Sequence, residues 1–233
     1  MHTAKGCIEE VYLDGRRAAR ISCPPALIPA PGQYLLATCD SDQQAALAQA
    51  VYSAGICPGG FFAAPALPVH WLPGARLNLR GPLGHGFSLP ASARQVALVA
   101  FGGNGARVLA LLEPALAQKA GVVLLADQPP AGLPLALEIQ PLAALSETAP
   151  WAAYLAIDLR RPQLPALLNL VTPEQNGAYA NKKPIPARGI IQLLIETPVP
   201  CGGLADCGAC AVSLRPSALP RLACKDGPVF DLA

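Results

Sequence analysis

Four cysteines in the last part of the sequence constrain its fold more than any other feature. They are Cys201, Cys207, Cys210 and Cys224, with gaps of five, two and thirteen residues between them. Gaps this short bring three thiolates around one small volume only if the chain wraps as a loop, and the glycines in the stretch supply the backbone freedom for it. Clustered thiolates suit iron–sulfur clusters or zinc, since both accept soft sulfur ligands. The four cysteines are therefore candidate metal ligands.

The spacing favours a 2Fe-2S cluster over zinc. It is similar to the plant-type ferredoxin pattern of a four-residue gap, a two-residue gap and a remote fourth cysteine, with a first gap that is one residue longer. Zinc ribbons usually carry two separate Cys-x-x-Cys pairs, whereas Cys201 and Cys224 stand outside any such pair. A four-cysteine zinc site that staples an interaction module remains an alternative, as do thiols without a metal.

The remaining cysteines are predicted to be buried and without a functional role, because each stands alone in strand-like or apolar sequence. They are Cys7, Cys23, Cys39 and Cys57. No uninterrupted apolar segment follows the N-terminus, where Lys5, Glu9 and Glu10 stand, so a signal peptide is not indicated and the protein is expected in the cytoplasm. Clustered cysteines in a reducing compartment are better interpreted as metal ligands than as disulfides.

Composition excludes several classes of protein. Apolar residues reach 52% and charged ones only 14%, which excludes a disordered chain. The formal net charge of +2, with no basic cluster, does not support nucleic-acid binding. Residues 43–75 lack any charge, but prolines and glycines interrupt them, so a membrane-spanning helix is excluded and the stretch is expected to pack against other protein.

The pattern of short apolar segments predicts three parts. Residues 1–92 are predicted to form an antiparallel β-barrel, opening with a hairpin over 7–23 around Asp14-Gly15 and continuing with strands at 34–38 and within 69–89. Residues 93–187 alternate strands (95–101, 122–126, 151–157) with helices (106–119, 141–145), which is typical of a parallel α/β domain, and end in a polar loop over 175–183. Residues 188–233 hold a strand over 189–196 and the cysteine loop.

Three further segments indicate a family. The stretch Cys224-Lys225-Asp226-Gly227-Pro228-Val229-Phe230 resembles the closing segment of the electron-transfer subunit of dihydroorotate dehydrogenase, a branch of the ferredoxin-reductase-like flavoproteins. The segment from Gly81 to Phe87 resembles the end of that family's barrel, and Pro31-Gly32-Gln33 its early barrel turn. Glu196 also precedes Cys201 at the family's distance. The order of barrel, nucleotide-type domain and cluster loop covers nearly the whole chain.

The resemblance implies a chain of electron carriers. In the family, NAD(H) gives hydride to FAD, and single electrons pass through a 2Fe-2S cluster to a catalytic subunit that holds FMN. Such a dehydrogenase subunit, or another redox protein, is therefore the expected partner. The alternative within the same architecture is a relay or scaffold subunit without FAD.

The resemblance also assigns cofactor-binding candidates. The family's flavin motif, Arg-x-aromatic-or-aliphatic-Ser, corresponds to the stretch 50–53, so Tyr52 and Ser53 would meet the flavin, although Ala50 stands where the family's arginine grips the pyrophosphate. The glycine turn after the strand 95–101 is the candidate for a nucleotide phosphate, because free N–H groups there precede a predicted helix. Its candidate residues are Gly102, Gly103 and Gly105.

Overall fold

The structure, a computed structural model, describes residues 1–41, 47–171, 189–215 and 219–232. The predicted polar loop over 175–183 lies outside these residues. The longest helix in the described part of the chain has 8 residues, and none of the helices there is long and apolar enough to cross a membrane.

The first part of the chain is a closed barrel of six antiparallel strands, as predicted. The strands are β1 (His2–Val11), β2 (Ala19–Ser22), β3 (Tyr34–Cys39), β4 (Gln49–Cys57), β5 (Gly60–Ala63) and β6 (Arg76–Leu83). Around the barrel they follow the order β1-β2-β5-β4-β3-β6. Apolar side chains fill the interior, among them Ile21, Leu35, Phe61 and Leu79, each fully buried.

The second part is a six-stranded sheet in which five strands are parallel. Its strands are β7 (Gln95–Phe101), β8 (Gly121–Leu125), β9 (Glu138–Gln140), β10 (Tyr154–Arg160), β11 (Ile190–Glu196) and β14 (Val229–Asp231). The order is β14-β11-β10-β7-β8-β9, and β14 pairs antiparallel with β11. Two strands of the predicted C-terminal segment (188–233) thus belong to the α/β sheet; the predicted boundaries at 92/93 and 187/188 stay predictions.

Short helices cover both faces of this sheet. They are α1 (Leu112–Ala117), α2 (Leu145–Thr148), α3 (Leu164–Val171) and α4 (Ala223–Asp226), with 3-10 turns at Val108–Leu111, Leu142–Ala144 and Arg161–Gln163. A further 3-10 turn, Pro25–Leu27, packs on the barrel through Leu27. Alternate residues of β7 enter separate cores, Ala97 and Val99 on one face and Val96 and Leu98 on the other. Both faces are buried, as a parallel sheet requires.

The helix predicted over 106–119 is shorter and split. The chain forms the 3-10 turn Val108–Leu111 before α1 begins at Leu112. Pro114 explains the break, because it has no N–H to donate to the carbonyl of Ala110. The strands β4 and β5 were not predicted from the pattern, since their residues are buried on both sides and show little alternation.

The three segments that carry the family resemblance meet in one joint between barrel and sheet. The His85 N–H donates to the Gly227 carbonyl at 2.6 Å, and the Phe87 N–H donates to the Pro31 carbonyl at 2.8 Å. Gly84 lies in the middle of the joint with a φ of +76°, where an added Cβ would contact the ring of Pro228 and lie 2.6 Å from the Gly227 oxygen. The close approach of two backbones therefore requires glycine here.

We predict that Gly84→Ala destabilises the protein far more than Gly59→Ala. Gly59 has nearly the same φ, +75°, but nothing within 4 Å of an added Cβ, so it reports the backbone strain alone, about 1 kcal/mol. Gly84→Ala adds a collision with backbone and should cost at least ~3 kcal/mol. Urea unfolding of both variants measures the difference, and equal losses would show that the joint tolerates a larger separation.

Candidate functional site

The structure places the four predicted cysteine ligands in one region of the molecule, as two pairs. Cys201 follows β11, Cys207 and Cys210 lie in the loop before β12 (Ala211–Val212), and Cys224 lies in α4 after β13 (Arg221–Leu222). The sulfurs of Cys210 and Cys224 are 3.2 Å apart, and both residues are buried. Cys201 and Cys207 form a second pair, whose side chains are near enough for Cys207 to lower the pKa of the Cys201 thiol. The site is thus two pairs of sulfurs, an inner one and an outer one.

This pairing fits a binuclear cluster, in which two thiolates hold each iron. A mononuclear zinc site requires four ligands around one ion. Within the described residues, no group of three or more His, Cys, Asp or Glu side chains lies in position to hold a metal ion. The four thiols as a donor set suit either metal, and their arrangement in pairs is the feature that fits a 2Fe-2S group.

Backbone N–H groups of the loop point at the sulfurs. Hydrogen bonds from the N–H groups of Asp206 and Cys207 are the main reason why the pKa of the Cys201 thiol is lowered to about 6. The Ala209 N–H lies 3.5 Å from the sulfur of Cys207. By contrast, burial raises the pKa of the Cys224 thiol to about 11. The loop thus presents donors to anionic sulfur, which is what thiolate ligands and cluster sulfides need.

Two arginines fix the loop to the two halves of the molecule. Arg80, on barrel strand β6, donates to the carbonyl of Gly202. Arg161, at the end of β10, donates to the carbonyls of Ala209 and Ala211. The cysteine loop is therefore held against both the barrel and the α/β sheet.

Tyr34 closes the loop site from the barrel side. It is 1% exposed, and its hydroxyl lies 3.5 Å from where a Cβ on Gly203 would be. Burial, followed by the charges of the Cys224 and Cys210 thiols, raises its pKa to about 12. No signal in the sequence identified Tyr34, because its neighbours at the site come from residues far along the chain.

The candidate flavin residues Tyr52 and Ser53 lie on β4, as the family motif implies. Little of either is exposed, although Tyr52 lines a cleft of about 490 Å³ and Ser53 one of about 500 Å³. The Ser53 hydroxyl accepts from the N–H of Gly55 and donates to its carbonyl, and Ser53 is only 2% exposed. The ring of Tyr52 is 8% exposed and lies between Tyr34 and the guanidinium of Arg107, whose carbon is 5.4 Å from the ring centroid. With Ala50 offering no cation, these residues do not fit FAD in the manner that the resemblance implies.

Arg107 holds a buried ion cluster that the sequence analysis did not identify. Its guanidinium lies 2.7 Å from a carboxylate oxygen of Asp158 and 2.7 Å from one of Glu196. Burial alone would lower the pKa of Arg107, but the two carboxylates reverse this and raise it. This ion cluster joins the turn after β7 to the ends of β10 and β11, and it packs on the barrel through Tyr52.

The glycine turn lies beside this cluster. Gly102 has a φ of +77°, and an added Cβ there would collide with the side-chain amide of Gln163, which lies over the turn. Gly105 also has a positive φ, +75°, whereas Gly103 has open space around it. A cleft of about 620 Å³ reaches Gly102 and Gly103. Two arginines and two carboxylates line it, so their formal charges sum to zero. This cleft shows no excess of positive charge toward a phosphate.

Comparison with solved structures identifies the fold. The NADH-dependent reduced ferredoxin-NADP oxidoreductase, described in connection with flavin-based electron bifurcation, superposes with a TM-score of 0.66 at 15% identity, covering 99% of this chain and 89% of that one. The ferredoxin reductase of carbazole 1,9a-dioxygenase gives a TM-score of 0.57 at 18% identity, and the match covers 72% of this chain and only 64% of that one. A ferredoxin NADP+ reductase from Neisseria gonorrhoeae, solved with bound FAD and NADP, gives 0.51 at 14% identity, covering 84% and 98%.

At these identities the likeness concerns the fold. No family model matches the sequence, and no curated protein matches it. The comparison and the strand topology together show that the chain has the ferredoxin-reductase-like fold, a closed antiparallel barrel followed by a parallel α/β domain.

We predict that Arg107→Ala lowers the free energy of unfolding by about 3 kcal/mol or more, because Asp158 is left as an unpaired buried charge. Arg160→Ala is the matched control: Arg160 lies 3.4 Å from Glu196 but is 72% exposed, so its loss should cost less than about 1 kcal/mol. Denaturant titration of both variants measures the difference. Similar values would mean that the buried cluster contributes no more than a surface ion pair.

Proposed function

We propose that this chain is an electron-transfer subunit that holds a 2Fe-2S cluster on Cys201, Cys207, Cys210 and Cys224. It would pass electrons between a nicotinamide or flavin donor and a partner oxidoreductase. The observation that carries the proposal is the arrangement of the four sulfurs in two pairs, with N–H groups of the cysteine loop directed at three of them, those of Cys201, Cys207 and Cys224. When bound, the cluster supplies one-electron transfer.

The residues around the site suit this role. The inner sulfurs, on Cys210 and Cys224, are buried, which excludes water from one side. Cys207 is exposed, and Leu204 in the same loop is 69% exposed. An electron carrier works only near another carrier, so the partner is expected to approach the outer pair across this edge of the loop.

The partner that we propose is an FMN-containing catalytic subunit of the dihydroorotate dehydrogenase type. The support is the family resemblance of three segments that are distant in sequence and pack against one another in the joint around Gly84. Another redox protein is the alternative partner, because the joint concerns the architecture and not the substrate.

A specific observation favours a second form of the proposal, a relay subunit without FAD. Arg107 covers the ring of Tyr52 and is itself engaged by Asp158 and Glu196. In this form the flavin and the nicotinamide site belong to other subunits, and the barrel serves as the scaffold of the cluster loop.

Metal analysis of anaerobically purified protein tests the proposal. We expect about two irons and two acid-labile sulfides per chain in the wild type, with the visible absorbance of a 2Fe-2S cluster. Cys207→Ser and Cys210→Ser should each lose most of the iron and colour, because each removes one ligand of a different pair. Cys23→Ser, at a half-buried cysteine outside the site, should keep both.

The outcomes separate the alternatives. A colourless protein with one zinc per chain would replace the proposal by the zinc-stapled interaction module. Iron that persists in both ligand variants would show that the cluster, if present, is held elsewhere. Flavin released by acid from the same samples decides between the form with FAD and the relay without it.

Co-purification from the native cell under anaerobic conditions tests the partner. We expect a complex with an FMN-containing subunit. When dihydroorotate is added to this complex, the visible absorbance of the 2Fe-2S cluster should fall, because the cluster accepts an electron. A complex that responds to a different substrate would keep the electron-transfer proposal and exclude the dihydroorotate dehydrogenase type.

A further inference from the structure

The Tyr34 hydroxyl is a fully buried polar group that has no hydrogen-bond partner among the described residues. Tyr34 lies on β3, is 1% exposed, and its ring packs against Tyr52 with the centroids 5.6 Å apart. Leaving a buried hydroxyl unpaired costs free energy, so each such group calls for an explanation. A phenylalanine would provide the same packing without that cost.

The surroundings of the hydroxyl are those of the cysteine loop. It lies beside Gly203, two residues after Cys201. The thiols near enough to act on the phenol electrostatically are Cys224, Cys210 and Cys201, three of the four candidate ligands. The hydroxyl therefore faces the cysteine loop at Gly203.

Two kinds of polar group near the hydroxyl cannot accept a hydrogen bond from it. The nearest cation is Arg80, but a guanidinium only donates hydrogen bonds, and this one donates to the carbonyl of Gly202. The backbone N–H groups of the loop also only donate, and those of Asp206 and Ala205 are directed at the sulfurs of Cys201 and Cys224. Anionic sulfur is the acceptor that the site would offer once it is loaded.

We propose that the Tyr34 hydroxyl donates a hydrogen bond to a sulfur of the 2Fe-2S site, either a cysteine ligand or a bridging sulfide. This hydrogen bond would raise the reduction potential of the 2Fe-2S cluster. This inference rests on the proposed function. Taking up one electron adds one negative charge, which spreads over the sulfurs, and a donor hydrogen bond stabilises that charge. Tyr34 thus acts on the reduction potential of the site directly, through its hydroxyl.

Redox titration tests the inference. Tyr34→Phe keeps the ring and its packing and removes only the donor, so the midpoint potential should become more negative while iron and sulfide contents stay at the wild-type level. Replacement of Tyr34 by 3-fluorotyrosine, a stronger donor of nearly the same shape, should shift the potential in the positive direction. An unchanged potential in both proteins overturns the inference.

A matched control removes the same atom elsewhere. Tyr154 is equally buried, and its hydroxyl donates to the side-chain oxygen of Gln192 in the α/β core. Tyr154→Phe should leave the midpoint potential unchanged, even if its stability falls, and an equal negative shift there would mean that the effect of Tyr34 is structural. If Tyr34→Phe no longer holds iron, the fluorotyrosine protein carries the comparison alone.

The failure of this inference is distinguishable from that of the proposed function. Wild-type protein without iron and sulfide defeats the proposed function. If the wild type contains both, but Tyr34→Phe and the 3-fluorotyrosine protein have the same midpoint potential as the wild type, only the role of the hydroxyl is defeated. Resonance Raman bands of the iron–sulfur bonds give a second readout, since a hydrogen bond to sulfur makes them sensitive to exchange into deuterated water.

Discussion

The close contact of two backbones at Gly84 and Gly227 is the constraint on which the rest of the architecture depends. It joins the last barrel strand to the segment that carries Cys224 and leads into β14. Because Gly84 has no Cβ, the two backbone segments approach within hydrogen-bonding distance. The cysteine loop is thereby enclosed between the barrel and the sheet. The arginine contacts from Arg80 and Arg161 then fix the loop on both sides.

The sequence was informative where periodicity and spacing are local. The hairpin around Asp14, the strand Gln95–Phe101 and the class of the fold could be predicted, because alternation and glycine turns leave a mark within a few residues. The strands β4 and β5 leave no such mark, since barrel and α/β core bury most of their residues. The cysteine spacing predicts which residues share a site, but the spacing alone does not indicate that they form two pairs.

The buried ion cluster could have been noticed but not assembled from the sequence. Arg107 and Asp158 are each the only charged residue in an otherwise apolar run, which is a signal of a buried pair. Nothing local indicates that they face each other or that Tyr52 lies beneath them. Such a pair adds less to stability than its strength in isolation suggests, because both groups lose their hydration. Its more definite effect is to cover the ring that the family resemblance assigns to flavin.

The antiparallel pairing of β14 with β11 also has a consequence for assembly. Cys224 reaches its partner sulfur through α4, which is held between the two-stranded ribbon of β12 and β13 and the edge strand β14. The ribbon pairs Ala211 with Leu222, and the Ala223 N–H donates to the Cys210 carbonyl, so the inner pair of thiols is brought together by local contacts. The addition of β14 to the sheet then anchors this pair to the α/β core.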